Sequence, residues 1–547
     1  MFWNISAEKK AWVETSVAAM TTDEKIGQLV CEQNTAYMAV ADKKAWLRQY
    51  PIGSMFVGAE IIKPGEEDSA IARQLIGETQ EACTIPVAFC GDFEHGIGSQ
   101  IAGNTRLPDL MALGATHDPA LAYEYGRIIA EEGKSLGLHW AFGPVADLNL
   151  NHCNHVTNTR GAGDNPAHAV TILSALVRGM QDHGMCACPK HFPGDGTDAR
   201  NQHIVTSLNL LSKSDWDNCH GKVFKGVIDA GAASIMIGHL GFPDYEPVDP
   251  VKGKFRPATA SKRIMTELLR GELGFKGIIL TDALCMNGFI SWGTYEERML
   301  DSFNGGTDVF LWPETVMFFE LIRTALKDGR ASTARLEESV RRVMSFKAWL
   351  GLDRQEAKKY ELTTAARNVN AGIATAVAEK SLTLLRNRGG DIPLRLPANA
   401  ETLMLYTPEN DRIPKPQLEF FAAEFESRGY RAKVIPFTQL GKEEDLEKYT
   451  CVFLLCFCRP MYVDYSIFNN YSIWGFMANP KIRKRVFVSF GTPYFLYEVA
   501  EADTYLNVYS DSEISQRAAV RALFGEIPFA GKSPVTQKHC FAFGEGL

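Results

Sequence analysis

One loop of the sequence concentrates residues that could do acid–base chemistry. The stretch CACPKHFPGDGTDARNQH, residues 186–203, begins as an apolar strand and then turns through Pro193, Gly194 and Gly196. Its polar side chains include Lys190, His191, Asp195, Asp198 and His203. Imidazole and carboxyl groups are the side chains that most often give and take protons in enzymes. We therefore expect this loop to belong to a catalytic or binding site.

Two cysteines at the start of the same stretch raise the question of a metal site. Cys186 and Cys188 stand close to His191 in the sequence, and thiolate and imidazole are the usual zinc ligands. However, the two cysteines share one face of the apparent strand, their spacing matches no zinc motif, and no second cysteine pair lies nearby. Plain burial explains them better, and we expect neither a metal ion nor another cofactor.

Short apolar runs recur between about residues 27 and 315, and each ends on polar residues or glycine. The runs are IGSMFVG, IPVAFCGD, LHWAFGPVAD, MCACPKH, ASIMIGH, GIILTD and TDVFLWP. Helical segments separate most of them, with recognisable starts such as Asp118 followed by Pro119. Strands that are apolar on both faces and alternate with helices form parallel sheets. The sequence therefore predicts an α/β fold built on a (β/α)₈ TIM-type barrel.

The active site of such a barrel lies at the carboxyl ends of its strands, where polar residues from different runs meet. The residues expected there are Asp92, Asp147, Lys190, His191, His239, Asp282 and Asp308. Carboxylates with a cationic side chain bind the adjacent hydroxyl groups of sugars, and cleavage of a glycoside needs a carboxylate nucleophile and a proton donor. Asp282, at the end of GIILTD, is the best placed nucleophile. We expect a small saccharide or glycoside as substrate.

The chain is too long, at 547 residues, for one compact core. A second alternation of apolar runs and helices begins near residue 386, from TLMLYTP to the helix SEISQRAAVRALFGE. We predict a barrel catalytic domain over residues 1–351, a helical linker over 352–385, and a smaller α/β sandwich domain with a parallel sheet over 386–547.

The composition excludes some classes of partner. A formal net charge of −8 argues against nucleic-acid binding, which usually needs a clustered basic face. The longest apolar run, CVFLLCFC, is too short to span a bilayer, so we expect no membrane partner and a cytoplasmic location. The twelve cysteines show no framework spacing and are expected to be reduced thiols. A homodimer is left open.

Eight motifs follow one another along the chain. They are MTTDEKIGQL, GDFEHG, NTRLPDLMALGATHDPALAYEYG, GPVADLN, TNTRGAGDNP, KHFPGDG, SIMIGHL and GIILTDALCM. By their number, order and spacing, the chain resembles glycoside hydrolase family 3, and YLNVYSDSEISQRAAVRALFGEIPFAGKSPV near the C-terminus resembles the end of that family's second domain, so the resemblance covers nearly the whole chain. The resemblance implies a retaining mechanism in which Asp282 is the nucleophile and forms a covalent glycosyl-enzyme. It also implies sugar ligands at Asp92, Arg160, Lys190 and His191.

Within that family, KHFPG followed by a loop ending in Asp-x-His resembles the branch that acts on β-N-acetylglucosaminides. By that resemblance His203 is the acid/base, and an aspartate two residues earlier would fix its tautomer and stabilise its charged form. This chain has Asn201 at the aspartate position. An amide oxygen fixes the tautomer but supplies no charge. Either Asp198 or Asp195 takes over as orienter or acid, or the substrate has an unusual leaving group, or hydrolysis is weak.

The first expectation is therefore a retaining β-N-acetylhexosaminidase that cleaves terminal β-linked N-acetylglucosamine. A β-glucosidase or xylosidase of the same family would take its acid from the second domain, where Glu409 and Glu419 are the candidates. A phosphorylase stays open because a histidine acid/base leaves the pocket less anionic towards phosphate. A sugar-binding protein without turnover is a further reading, which Asn201 keeps open.

Overall fold

The structure, a computed structural model, describes residues 4–33, 38, 40–58, 68–353, 360–407, 418–441, 445–458 and 472–547. The chain groups into two compact units. The first comprises Met1–Arg106, Ala122–Leu148 and Leu173–Asn368, and the second comprises Leu107–Leu121, Asn149–Ile172 and Val369–Leu547. The domain boundaries expected at residues 351 and 386 stay a prediction.

The first unit contains a closed ring of parallel strands. The described strands of the first unit, including two outside the ring, are β1 Val30–Glu32, β2 Ser54–Phe56, β3 Ala88–Gly91, β4 Trp140–Ala141, β5 Cys186–Ala187, β6 Ser207–Leu208, β7 Ser234–Ile237, β8 Leu240–Gly241, β9 Ile278–Thr281 and β10 Phe310–Leu311. One sheet has the order β10-β1-β2-β3-β4-β5, β7 pairs with β9, and β6 pairs separately with β8. Single parallel bridges, Phe192–Ile237 and Leu280–Val309, join the six-stranded sheet to the β7–β9 pair. Over the described residues this ring has eight strands, which confirms the predicted TIM-type barrel.

Helices alternate with these strands, as the sequence predicts. They are α1 Ala7–Ala19, α2 Thr22–Gly27, α3 Val40–Gln49, α4 Asp68–Ala82, α5 Leu110–Ala115, α6 Pro119–Leu136, α7 Pro166–Asp182, α8 Lys213–Asn218, α9 His220–Asp229, α10 Asn287–Ile290, α11 Tyr295–Gly305, α12 Thr315–Asp328 and α13 Thr333–Trp349, with a π-helix at Arg263–Glu272. The predicted start of α6 is confirmed, because Asp118 Oδ1 accepts hydrogen bonds from the backbone N–H groups of Ala120 and Leu121. In the part of the chain that is described, no helix is both long and apolar enough for a membrane crossing.

Apolar side chains fill the interior of the barrel. Trp140 of β4 meets Phe142 edge to face at a centroid distance of 5.2 Å, and it meets Phe346 of α13 at 5.1 Å. Because Trp140 is the first residue of β4, α13 packs against this core at the end where the strands begin. Polar side chains that contact a ligand are therefore expected at the other end of the barrel, where the strands finish.

Asp308 lies at the end where the strands begin, so its predicted place in the ring of site residues is wrong. It precedes β10 instead of following it. The buried carboxylate contacts Arg270 and Arg342 at 2.6 Å each and accepts a hydrogen bond from the Ser339 hydroxyl at 2.6 Å. Burial would raise the pKa of Asp308, but the arginines outweigh it and lower the pKa to about 2. This carboxylate ties helices to the barrel.

The second unit is built on a six-stranded sheet of order β11-β16-β15-β14-β12-β13. The remaining elements are α14 Thr364–Ser381, β11 Thr383–Asn387, β12 Glu401–Thr407, β13 Arg431–Pro436, α15 Glu419–Glu426, β14 Cys451–Cys456, α16 Ser472–Met477, β15 Arg485–Ser489, β16 Thr504–Asn507 and α17 Glu513–Leu523. Leu403 and Leu405 pack into one apolar cluster and Met404 into another, so both faces of the sheet are covered, as in an α/β sandwich. The predicted parallel sheet is corrected at one edge, because β11 runs antiparallel to β16 and begins at Thr383.

Candidate active site

Polar side chains follow five strands at the carboxyl end of the barrel. Asp92 follows β3, Asp147 follows the segment of β4, Lys190 and His191 follow β5, His239 follows β7, and Asp282 follows β9. Lys190 contacts Asp92, His191 contacts Asp147 and approaches Asp282, and His239 contacts the carbonyl of Ala283. The structure thus brings together six of the residues that the sequence singles out.

His191 stands between two carboxylates. Its Nδ1 is 2.7 Å from Asp147 Oδ2, and its Nε2 is 3.8 Å from Asp282 Oδ2. The other oxygen of Asp147 accepts the backbone N–H groups of His191 at 3.0 Å and Asp195 at 2.7 Å. Burial would raise the pKa of Asp147, but His191 and these hydrogen bonds lower it below its ordinary value. An ionised Asp147 orients the imidazole so that its second nitrogen faces Asp282.

Asp282 has the charge and access that a nucleophile needs. Its Oδ1 accepts the backbone N–H of Ala283 at 2.8 Å, and 13% of its side chain is exposed, so a ligand can reach an otherwise buried carboxylate. Burial would raise the pKa of Asp282, but the imidazoles of His191, His239 and His203 outweigh it and lower the pKa below its ordinary value. The carboxylate is therefore ionised at neutral pH, which is the form that attacks an anomeric carbon.

His239 follows β7 and contacts the segment that contains Asp282. Its Nε2 is 2.9 Å from the Ala283 carbonyl, which can only accept, so Nε2 carries the proton. Its Nδ1 is 2.8 Å from the Thr259 hydroxyl and accepts from it. Burial lowers the pKa of His239, which agrees with a neutral ring that has one donor and one acceptor nitrogen. His239 fixes the backbone next to Asp282.

Lys190 is held by two carboxylates. Its Nζ is 2.7 Å from Asp92 Oδ1 and 2.6 Å from Glu94 Oε1. The side chain of Lys190 is only 3% exposed, whereas that of Asp92 is 41% exposed and free to meet the hydroxyl groups of a sugar. Glu94 is absent from the residues expected at the site, although it stands two positions after Asp92 in GDFEHG. Its position in that motif was the available signal.

Asn201 holds His203 through one amide oxygen. Asn201 Oδ1 accepts the backbone N–H of His203 at 3.0 Å and lies 2.7 Å from its Nδ1. Since the amide oxygen can only accept, Nδ1 carries a proton and Nε2 is the nitrogen that exchanges a proton with a ligand. The tautomer expected of an Asp-x-His pair is thus reproduced, but the acceptor next to the imidazole is uncharged.

The loop that carries His203 is tied to the segment after Asp282. The carbonyls of Gln202 and His203 accept the backbone N–H groups of Gly288 at 3.2 Å and Asn287 at 3.1 Å. Gly288 is needed for this close approach, because a Cβ atom there would lie 2.4 Å from the Gln202 carbonyl oxygen. Two loops that come from different strands therefore deliver an imidazole and a carboxylate to the same site.

Asp195 and Asp198 hold the loop of residues 186–203 in shape through the contacts that the structure shows. Asp198 contacts the Arg200 guanidinium at 2.6 Å and accepts the Leu208 backbone N–H at 2.9 Å. Asp195 accepts the Gly196 backbone N–H at 2.6 Å, and its own N–H donates to Asp147. These bonds shape the turn, and support for His203 by either aspartate stays a prediction.

His220, which lies outside the stretch of residues 186–203, packs against this loop. Its Nε2 donates to the Asp195 carbonyl at 2.8 Å, and its ring fills the space beside Gly194, where a Cβ atom would meet His220 Cδ2 at 2.3 Å. Burial lowers the pKa of His220, so the ring packs as a neutral donor. No local pattern marks it, because His220 stands 25 residues after Asp195.

Three other predicted residues belong to the second unit or lie outside the described residues. Arg160 belongs to the second unit, where its guanidinium donates to the Val156 carbonyl at 3.0 Å, and its role as a sugar ligand stays a prediction. Glu419 is the first residue of α15 in the second unit. Glu409 lies outside the described residues.

The cysteines of the loop pack in the barrel core. Cys186 and Cys188 are fully buried, and burial raises the pKa of both thiols, that of Cys188 to about 12. The thiolate form that binds metals is therefore disfavoured here. Across the described residues, no group of three or more histidine, cysteine or acidic side chains is arranged to hold a metal ion.

The family model for the glycosyl hydrolase family 3 N terminal domain matches residues 21–346. The chain therefore belongs to glycosyl hydrolase family 3, as its motifs predict. It is 29% identical to a beta-N-acetylglucosaminidase/beta-glucosidase of Cellulomonas fimi over 557 aligned residues, which cover 96% of this chain and 95% of that protein.

Two solved structures share the whole architecture. A beta-glucoside phosphorylase BglX bound to 2FGlc superposes with a TM-score of 0.85 at 26% identity and covers 98% of both chains. A family 3 beta-N-acetylglucosaminidase from Paenibacillus sp. str. FPU-7 superposes with a TM-score of 0.83 at 25% identity, over 95% of this chain and 99% of that one. The names of these relatives thus include two beta-N-acetylglucosaminidases and a phosphorylase.

Proposed function

We propose that the protein is a retaining glycoside hydrolase that releases terminal β-linked N-acetylglucosamine. The observation that carries the proposal is an ionised, reachable Asp282 flanked by imidazoles, with the His203 loop bonded to the segment that follows it. The names of the Cellulomonas fimi and Paenibacillus relatives support N-acetylglucosamine as the sugar.

The residues divide the work of two displacement steps. In the first, Asp282 attacks the anomeric carbon while the imidazolium of His203 gives its Nε2 proton to the departing oxygen. In the second, His203 takes a proton from water, the water oxygen attacks the anomeric carbon, and the carboxylate of Asp282 leaves. Asp92, held by Lys190, binds sugar hydroxyl groups through both steps.

Loss of the nucleophile tests the proposal. Asp282→Ala should lower the release of nitrophenol from 4-nitrophenyl β-N-acetylglucosaminide by at least about 10⁴-fold, because covalent catalysis disappears. Asp229→Ala, at an exposed aspartate of α9, is the matched control and should keep full turnover. A fluorinated N-acetylglucosaminide should form a covalent glycosyl-enzyme that hydrolyses slowly. Mass spectrometry of the treated enzyme should find this sugar label on Asp282. Full turnover in Asp282→Ala, or a label on another side chain, would refute the mechanism.

Transfer to phosphate is a second candidate, favoured by the uncharged Asn201. A neutral amide beside the imidazole removes one negative charge that would repel an anionic acceptor, and the beta-glucoside phosphorylase BglX is among the similar structures. The test compares turnover in phosphate with turnover in sulfate at equal ionic strength. A faster reaction that yields the sugar 1-phosphate would select the phosphorylase. Sugar binding without turnover in either salt would leave a binding protein.

We also propose that the protein works in the cytoplasm. All twelve cysteines are free thiols in the structure, as expected of a reducing compartment. Cell fractionation with detection by antibody tests this, and recovery from an oxidising compartment would contradict it.

A further inference from the structure

Trp312 is the first residue after β10, at the same end of the barrel as Asp282. Its backbone N–H donates to the Cys31 carbonyl of β1 at 2.9 Å. The Leu311 carbonyl just before it accepts the N–H of Leu284, which follows Asp282 by two residues, at 3.1 Å. The backbone of Trp312 is therefore fixed between β1 and the segment of the nucleophile.

The backbone conformation of Trp312 is one that a bulky residue rarely adopts. Its φ angle is +58°, in the left-handed region, and Glu314 two positions later has a φ angle of +43°. Glycine would adopt such an angle freely, whereas a large side chain is strained there. Strained conformations of this kind concentrate at ligand sites, where they direct a side chain that function requires.

The ring of Trp312 lies on top of the packed interior of the barrel. It meets Phe56, the last residue of β2, edge to face at a centroid distance of 5.2 Å, and Phe56 in turn lies 6.1 Å from Phe142. One side of the indole is buried on this core, and the side chain as a whole stays partly exposed. Its Nε1 is buried, and among the described residues it has no hydrogen-bond partner.

We propose that Trp312 is a substrate-contacting residue whose partly exposed indole packs against the C–H face of the pyranose ring held at Asp282. The proposal rests on the function proposed above. Indole offers a large flat apolar surface, and the C–H groups of a pyranose form a matching surface between its hydroxyl groups. Asp92 and Lys190 bind the polar edge of the sugar, so Trp312 supplies the apolar contact that they lack. The ligand class is a pyranoside with an uninterrupted C–H face.

Replacement of the ring separates a contact with substrate from a structural role. Trp312→Leu should raise KM for 4-nitrophenyl β-N-acetylglucosaminide about ten-fold with little change in kcat, because a platform of this kind binds ground state and transition state alike. Trp312→Phe keeps a smaller aromatic face and should recover part of the loss. Trp349→Leu is the matched control, since Trp349 is also a partly buried indole on the same core, near the end of α13. It should change thermal stability but leave KM unchanged.

A second measurement does not depend on turnover. N-acetylglucosamine should protect one tryptophan of the wild type from oxidation by N-bromosuccinimide, and this protection should be lost in Trp312→Phe. Unchanged KM in Trp312→Leu, or the same protection in Trp312→Phe, would overturn the proposal even if Asp282→Ala is inactive. If Trp312→Leu does not fold, KM and protection in Trp312→Phe decide alone. Turnover that survives in Asp282→Ala would instead refute the proposed function.

Discussion

Asn201→Asp is the substitution that tests the chemistry of the site most directly. The amide oxygen lies 2.7 Å from His203 Nδ1, so an aspartate of the same shape would accept the same bond with a full negative charge. A hydrogen bond to a charged acceptor contributes about 1.3 kcal/mol more than one to a neutral acceptor, which is a factor of roughly ten. Two unit charges about 4 Å apart at an effective dielectric constant of about 20 attract by about 4 kcal/mol, a factor of about 10³. The imidazolium of His203 should thus be stabilised between about ten-fold and about 10³-fold.

The assay should use two leaving groups. Methyl β-N-acetylglucosaminide needs its departing oxygen protonated, whereas 4-nitrophenolate leaves readily without a proton. Asn201→Asp should raise kcat/KM at least about ten-fold for the methyl glycoside, with a smaller gain for the nitrophenyl glycoside, and should move the alkaline limb of the pH–rate profile upwards. Asn218→Asp, at an exposed asparagine of α8, adds the same charge away from the site and should do neither. Equal rates for Asn201→Asp and wild type on both substrates would refute the reasoning.

Three further substitutions probe the supports of the site and the fold. Gly288→Ala would place a methyl group 2.4 Å from the Gln202 carbonyl oxygen and should lower kcat at least about ten-fold by displacing the loop that carries His203. Gly77→Ala, in open space on α4, is its control. Equal kcat in both variants would show that the contact between the His203 loop and the segment after Asp282 does not matter for turnover. Asp308→Asn leaves buried arginines without a counter-charge and should lower the free energy of unfolding by about 3–5 kcal/mol in urea titrations while turnover per folded molecule stays constant. Burial lowers the pKa of Lys347 to about 7. Between about pH 7 and about pH 10 the unfolded chain therefore binds one proton more than the folded chain, and the free energy of unfolding should rise with pH. Lys347→Met should remove this rise, and an unchanged rise would contradict the reasoning.

The positions of most strands along the chain and the start of α6 could be predicted because their causes are local. Runs such as GIILTD and TDVFLWP are apolar on both faces, and Asp118 before Pro119 has the chemistry of a helix start. β1 was absent from the predicted runs because it follows α2 almost directly, after Gln28 and Leu29. β11 was taken for the end of a helical linker. Its place at the sheet edge is decided by pairing with β16, more than a hundred residues later.

The site was predictable only where chemistry sits inside a motif. Asp92, Lys190 and Asp282 stand at strand ends in recognisable stretches, and the structure brings them to the same end of the barrel. Asp308 looked equivalent, but the same run contains residues before and after the strand, and only the register of β10 shows on which side the carboxylate lies. His220 could not have been found, because its role arises from packing against a loop that is remote in sequence.

The charge balance of the site follows from which groups are neutral. Asp282 is one carboxylate near the imidazoles of His191, His239 and His203. Burial keeps His239 neutral, and His191 contacts the ionised Asp147. An aspartate at position 201 would add a further anion to this set, whereas Asn201 adds none. In the proposed mechanism, Asn201 therefore weakens His203 as acid/base and leaves the site beside Asp282 less anionic. That exchange favours substrates whose leaving group departs easily, or acceptors that carry negative charge, over the hydrolysis of unactivated glycosides.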